Sequence, residues 1–413
     1  MNLEKGDFQN DIAKLLRDIL DGRTATEPGS DPAPFDQALW RDLAKAGVLS
    51  AALPESAGGD GLGLLEQCSV LIELGRALAP APYLASIVLG ASAVAAFGTD
   101  EQRRRWAAPA GAGELVLAAA LSEEDAELPE IPVTTASLAA DGGWLVSGTK
   151  TVVDAAPWAD AFLVPTAAPD EVRVFVIERT DPGVAIEQQE LTDGATAGRV
   201  VLDSVPLSED RLLGGTEVAT WLAARGTVGL CALQLGVTER AVELTAEYAR
   251  NRVQFARPIG SFQAVAQRLA EAWIDVEAIR LTLWQAAWRL SAGQPDDNAI
   301  ATAKFWAADG GHRVAHTAVH VHGGVGIDTS YPLHRYFAAA KHNEFALGGA
   351  TAQLRAIGAE LAKQLVRTKN AYRSFPSCAC ALRSLRVDSS QPTASPTTGH
   401  KILRNGTTCR TPG

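Results

Sequence analysis

The sequence predicts an α+β fold in three consecutive parts: helical, β-rich, then helical again. Two observations carry that expectation. Apolar residues recur at helix spacing up to about residue 112 and again from about residue 217. Between those stretches, short runs rich in Val, Ile and Leu are separated by Asp-Gly and Pro-Gly turns. The composition agrees, since 413 residues with 47% hydrophobic and 21% charged side chains are ordinary for a globular protein. Those values exclude collagen-like, mucin-like and wholly disordered chains, and the length suits two or three domains with separate cores. We expect a helical domain over residues 1–114, a β domain over 115–214, a helical bundle over 215–366 and a tail over 367–413.

In the first part Leu15, Leu16, Ile19 and Leu20 recur at helix spacing, as do Leu39, Trp40, Leu43 and Val48. PESAGGDGLG (Pro54–Gly63) is a Gly-rich break, and the helix after it, Leu64–Ala79, is stopped by Pro80 and Pro82. In TDEQRRRW (Thr99–Trp106) a threonine N-cap, acids in the first turn and arginines later match the helix dipole. Strands are expected at Leu115–Leu121, Trp144–Val146, Ala161–Val164, Val172–Ile177 and Arg199–Leu202, forming a barrel or sandwich. Turns at Asp141-Gly142-Gly143 and Asp181-Pro182-Gly183 separate them. Long helices are expected at Ala219–Asn251, Phe262–Ala292, Asn298–Val321 and Phe345–Val366.

The tail differs in character. Eight Lys and Arg residues stand there against one acid, Asp388, with no sustained period, so residues 367–413 are expected to be disordered. A basic tail could bind anions, an out-of-frame or non-native extension explains it equally well, and it is assigned no function.

A net charge of −11 argues against nucleic acid as the main partner, because phosphate contacts need a basic surface. It leaves room for an anionic substrate on a local basic patch. No run reaches the ~18 apolar residues that span a bilayer. The N-terminus lacks a signal-peptide core, so a cytoplasmic protein with no membrane role is expected. Cys68 and Cys231 lie in apolar stretches and read as buried thiols, Cys378, Cys380 and Cys409 fall in the tail, and no zinc-type spacing occurs.

Three segments carry a resemblance to a known family. They are PESAGGDGLG with the later FGTDEQRRRW (Phe97–Trp106), YARNRVQFARPIGSFQAVAQRLA (Tyr248–Ala270), and HTAVHVHGGVGI (His316–Ile327) with HRYFAAAK (His334–Lys341). Together they resemble the acyl-CoA dehydrogenase family over roughly residues 5–366. The resemblance implies an N-terminal helical domain, a middle β barrel or sandwich and a C-terminal four-helix bundle. It also implies FAD, an acyl-CoA substrate and α,β-dehydrogenation. In that chemistry a glutamate takes the α-proton while the β-hydrogen leaves as hydride to the flavin.

In the family FAD straddles two subunits, and the residues for its ADP arm are retained here. Arg252 matches the arginine at the pyrophosphate, Phe255 the aromatic position and Gln263 the polar contact further on. His320-Val321-His322-Gly323-Gly324 matches the Gly-Gly turn. A guanidinium pairs with diphosphate as a fork, and paired glycines let backbone approach it closely. Taken alone, Arg252 fits a salt bridge to an acid on the bundle just as well. Tyr248 and Arg250 match positions lining the acyl-CoA cleft, with a partner-facing structural role as the alternative.

The flavin side departs from the family pattern. Ser122-Glu123-Glu124 matches an [ST]-E-P, and no Gly-Ser-Asp follows, which leaves Ser122 as the retained hydroxyl. After Gly148-Thr149-Lys150 the family has an aromatic, Ile, then Thr or Ser against the ring, where this chain has Val152-Val153-Asp154. Valine cannot stack as an aromatic does, and Asp154 puts negative charge beside a reduced ring. The family's Glu-Gly-Thr falls on Leu347-Gly348-Gly349, or one residue later, so the base position holds Leu347 or Gly348 and no catalytic residue is assigned. The other base position used by some members falls within Trp221–Gly226, again without a carboxylate. Glu217 lies too far upstream and Glu344 at the wrong helical phase.

Three tempting features have plainer explanations. His312, His316 and His320 at helical spacing suggest zinc, but a helix leading into the Gly-Gly turn accounts for them, and no metal is expected. Arg103, Arg104 and Arg105 suit a CoA phosphate less well than a solvated helix face. Trp273, Trp284 and Trp288 form a stripe expected in the bundle core.

Retention on the ADP side with loss on the flavin side implies a division of labour. The chain resembles the non-catalytic subunit of actinobacterial α2β2 acyl-CoA dehydrogenases, some of which handle steroid side-chain thioesters. A homologous catalytic chain would be its partner and an electron-transfer flavoprotein the electron acceptor. Two alternatives stay open: a self-sufficient homotetramer with a relocated base, and a non-enzymatic scaffold on the same fold.

Overall fold

A computed structural model of the chain describes residues 7–22, 35–124, 130–140, 142–294 and 296–373. Residues 1–360 form one compact unit, and the described part of a second, 361–413, is the end of one helix.

The first part is built from α1 (Asp7–Asp21), α2 (Gln37–Lys45) and α3 (Leu64–Ala77). A π-helical stretch, Leu84–Ala91, then runs into α4 (Ser92–Phe97), followed by α5 (Asp100–Gln102), a second π stretch (Arg103–Ala107) and α6 (Ala108–Gly111). Asp36 caps α2 by accepting from the N–H groups of Ala38 and Leu39. Thr99 is the expected N-cap of α5, and Gln102 returns a bond to it to close a reciprocal cap. Leu39, Trp40, Leu43 and Val48 are all buried.

The middle part holds β1 (Leu117–Ala119), β2 (Thr135–Leu138), β3 (Trp144–Asp154), β4 (Ala161–Ala167), β5 (Val172–Glu178), β6 (Val184–Glu190), β7 (Thr196–Leu207) and β8 (Leu212–Gly214). They form one eight-stranded sheet in the order β6-β7-β3-β2-β4-β5-β8, with β1 paired to β4. Strands β2, β6 and β8 lie outside the expected set. Only Ala136 of β2 is buried, and the edge strand β6 (VAIEQQE) has three apolar residues followed by four polar ones and buries none, so neither shows the pattern of a buried strand.

The last part comprises α7 (Thr216–Asn251), a hairpin of β9 (Val253–Gln254) and β10 (Arg257–Pro258), α8 (Gln263–Ser291), α9 (Asp297–Phe305), α10 (Gly311–His322), α11 (Leu333–Phe345) and α12 (Ala350–Arg373). The helix expected over Phe345–Val366 is corrected in two ways. The chain breaks between α11 and α12, where Leu347 and Gly348 adopt positive φ of 52° and 88°. Helix α12 then continues to Arg373, so the start of the expected disordered tail is helical. Residues 374–413, with Cys378, Cys380 and Cys409, lie outside the described residues.

Helices α3 and α7 meet backbone to backbone. A Cβ on Gly236 would stand 2.0 Å from the Ile72 carbonyl oxygen, and one on Gly75 would stand 2.4 Å from that of Leu233. By length and composition α7 could cross a membrane, contrary to the sequence expectation, yet 61% of its apolar window is buried inside the protein. Cys68 and Cys231 are buried free thiols, and burial raises both, Cys231 to about 12. The tryptophan stripe is corrected: Trp284 is buried, whereas Trp273 and Trp288 are 56% and 40% exposed. Phase puts all three on one face, but no residue of α8 before Ala272 is buried, so that face runs past the chain's own neighbours.

Candidate cofactor and substrate sites

One end of the bundle gathers the residues expected to hold the ADP arm. Tyr248, near the end of α7, stacks on His322 at the end of α10 with ring centroids 4.3 Å apart, and Tyr331 closes on both. Arg252 follows directly, its carbonyl accepting from the Ile259 N–H at 2.8 Å. Its exposed guanidinium makes no ion pair among the described residues, so the salt-bridge alternative fails. The β9–β10 hairpin turns through Phe255 and Ala256, both at positive φ (53° and 62°), where Asn-Gly is the usual choice. Phe255 is 88% exposed at this strained tip. Gln263 and His320 are exposed and Val321 is half-buried. Gly323, at φ 63°, and Gly324 face open space where a Cβ would stand.

Two residues of this group take other roles. His322 is buried, with Nδ1 against the Ala318 carbonyl at 2.8 Å and Nε2 against the Tyr331 hydroxyl at 3.3 Å. Buried and bonded at both ring nitrogens it packs the turn, and burial holds its imidazole below the ordinary value. The Tyr248 ring is occupied by that stack. Neither Tyr248 nor the exposed Arg250 lines the apolar cleft described next.

That cleft lies between the first helices, the sheet and the bundle. Phe35, Leu74, Leu84, Trp158, Leu230 and Leu233 give it apolar walls, and Asp154, Asp193 and His342 a polar corner. Ser122, Val152, Asp154, Gly226, His342 and Leu347 line a smaller inner pocket. The Leu347 side chain lies on Gly226, its Cδ1 3.0 Å from where a Cβ there would stand. Buried Lys304 holds the adjoining chain break, donating to the carbonyls of Asn343 (2.6 Å) and Glu344 (3.2 Å), and burial lowers its ammonium to about 8.

Strand β3 delivers its end to this pocket through an irregularity. The register against β7 shifts between Lys150 and Val153, and Val152 and Ala155 adopt positive φ of 50° and 63°. A β-branched residue in that region is a genuine outlier, held here by the Val152 N–H donating to Gln189 Oε1 at 2.9 Å. Behind it, buried Lys150 lies 2.7 Å from Glu123, whose carboxylate also accepts from the Thr134 N–H. Burial pulls Lys150 below its ordinary value. For Glu123 burial acts upward but is outweighed by Lys150 and the N–H donors, which hold it low.

Asp193, on the β6–β7 hairpin, reaches His342 on α11 at 3.1 Å. Burial opposes the charged imidazole, but Asp193 and the charge of Asp154 outweigh it and raise His342 above its usual value. Asp193 is correspondingly held low against its own desolvation. Asp154 still meets water in the cleft, yet the surrounding walls push its carboxyl up, with His342 opposing and Asp193 adding.

Residues 7–114, 118–205 and 214–362 match the N-terminal, middle and C-terminal domains of acyl-CoA dehydrogenases. The chain belongs to the acyl-CoA dehydrogenase family. It is 52% identical over 337 residues to acyl-CoA dehydrogenase FadE27 of Mycobacterium tuberculosis, covering 80% of this chain and 89% of that one. Among solved structures it is similar to a chain of the ChsE4–ChsE5 complex from Mycobacterium tuberculosis, with TM-score 0.83, 49% identity and coverage of 88% and 99%. It is also similar to a chain of a variant of the Tcur3481–Tcur3483 steroid acyl-CoA dehydrogenase, with TM-score 0.81, 38% identity and coverage of 88% and 100%.

Leu347, where the resemblance would put one base, lies against Gly226, the last residue of the stretch Trp221–Gly226 where it would put the other, and neither place carries a carboxylate. The outlying acids are engaged elsewhere. Glu217 accepts from the Gly215 N–H at the start of α7, and Glu344 pairs with Lys341 (2.5 Å) and His312 (3.2 Å). Among the described residues no cluster of His, Cys, Asp or Glu could hold a metal. Arg103, Arg104 and Arg105 pair with Asp100, Glu101 and Glu178. Sequence reasoning missed Asp193 and His342. The Asp193-Gly194 pair signals a turn, but nothing in its spacing points to a partner on a distant helix.

The chemistry of the donors fits one half of FAD. An unpaired guanidinium at Arg252 and an open glycine turn suit a diphosphate. The inner pocket does not fit the flavin ring, because it offers a strained valine and a carboxylate where a stacking aromatic and hydroxyl are expected.

Proposed function

We propose that this chain is the FAD-anchoring, non-catalytic subunit of a heterotetrameric acyl-CoA dehydrogenase. One observation carries the reading: a free Arg252 and an open Gly323-Gly324 turn at the bundle end, against Leu347 packed on Gly226 in the inner pocket. Arg252 pairs with the diphosphate, Gln263 and His320 add polar contacts, and Phe255 supplies an aromatic face that excludes water. Ser122 is the hydroxyl left on the flavin side. FAD, when bound, supplies the hydride acceptor for α,β-dehydrogenation of an acyl-CoA thioester. The glutamate that takes the α-proton comes from a homologous partner chain, and an electron-transfer flavoprotein is the onward acceptor.

The ChsE4–ChsE5 complex supports a heteromeric assembly, and the relative named as a steroid acyl-CoA dehydrogenase supports a bulky acyl group. A cytoplasmic location belongs to the same reading. The test is Arg252→Ala in the co-purified complex. FAD affinity should fall by about tenfold to a hundredfold, as for loss of a charge-assisted pair. The melting temperature of the lone chain should not move, because Arg252 has no ion-pair partner among the described residues. Unchanged FAD affinity contradicts the proposal.

A further inference from the structure

The polar corner of the cleft is not used by the proposed function. Three elements build it: the strained end of β3 brings Asp154, the β6–β7 hairpin brings Asp193, and α11 brings His342. His342 Nδ1 is held by Asp193, and its Nε2 has no partner among the described residues. Asp154 is exposed in the cleft and accepts no hydrogen bond from any described residue. Asp154 and His342 border both the cleft and the inner pocket. An ionised carboxylate only accepts hydrogen bonds and a protonated imidazole only donates them. A group that satisfies both must donate and accept at once, which a hydroxyl does and an ammonium or a carboxylate does not. Backbone strain of the kind seen at Val152 and Ala155 concentrates where ligands are held.

We propose that this cleft binds an apolar molecule bearing a hydroxyl, its O–H donating to Asp154 and its oxygen accepting from His342 Nε2–H. Asp193 positions the imidazole. The proposal rests on the reading that the flavin ring does not use this chain's own pocket, since the resemblance puts Asp154 where that ring would lie.

The test is calorimetric titration of the full chain, alone and in its complex, with n-octanol, octylamine and octanoate. Octanol should bind saturably, and the other two at least about tenfold more weakly. Asp154→Leu should weaken octanol by about tenfold to a hundredfold, with partial recovery in Asp154→Asn, whose amide oxygen still accepts. The comparison of head groups on the unmodified chain stands even if a variant folds poorly. Equal affinity for all three probes, no octanol binding, or unchanged binding in Asp154→Leu overturns the proposal. Flavin content read on the same samples separates its failure from that of the subunit reading.

Discussion

Leu347 and Gly226 touch across the inner pocket, with Leu347 Cδ1 3.0 Å from where a Gly226 Cβ would be. They lie 121 positions apart in the numbering, and the resemblance puts one base position of the family at Leu347 or Gly348 and the other within Trp221–Gly226. Because Asp154 and Val152 also alter the ring site, restoring the carboxylate alone should not restore chemistry. Leu347→Glu in the lone chain is expected to show no acyl-CoA-dependent dye reduction above background. Turnover in that variant would mean that the ring site is competent after all.

The Glu123–Lys150 pair ties the Ser122 segment to β3, and both side chains are buried. Lys150→Met leaves Glu123 without its cation, at a cost of about 3–5 kcal/mol. Adding Glu123→Gln should recover part of that loss, because the uncompensated charge is removed. Chemical denaturation of the single and double variants measures both effects.

Helices α3 and α7 form the cleft wall through glycine contacts. Gly236→Ala would drive a methyl group into the Ile72 carbonyl, where 2.0 Å is far below contact distance. Separating the helices should cost about 1–3 kcal/mol. Thermal melting checks this, and a neutral outcome would show that the two helices can part without loss.

Asp193 and His342 link stability to pH. His342 has a raised folded value, so its contribution is complete below about 6.5, its unfolded value, and is lost as pH rises through the folded value. Asp193 has a lowered one, so its contribution is present above about 3.9 and is lost as pH falls through the folded value. Asp154 faces the same imidazole in wild type and variant. The difference in melting temperature between wild type and Asp193→Asn should therefore be largest near roughly pH 5 and shrink toward alkaline pH. A difference that grows above neutrality contradicts this assignment.

Periodicity made the helices legible, because Leu39, Trp40 and Leu43 or the buried stripe of α8 point one way at the helical repeat. It failed at β2 and β6, which bury one residue or none, and at Leu347-Gly348, where a positive-φ break hides inside helix-forming residues. Arg252 and the glycine turn were legible because they sit in contiguous segments. The Asp154, Asp193 and His342 corner was not. Its members come from three segments of no shared period, and only the packing of hairpin against helix brings them together.

The most direct measurement is FAD per chain, read from the visible spectrum of the full chain purified alone and co-expressed with a homologous catalytic chain. The account predicts no stoichiometric flavin in the lone protein and one FAD for each pair of unlike chains. One FAD per lone chain, with dehydrogenase activity, would contradict it.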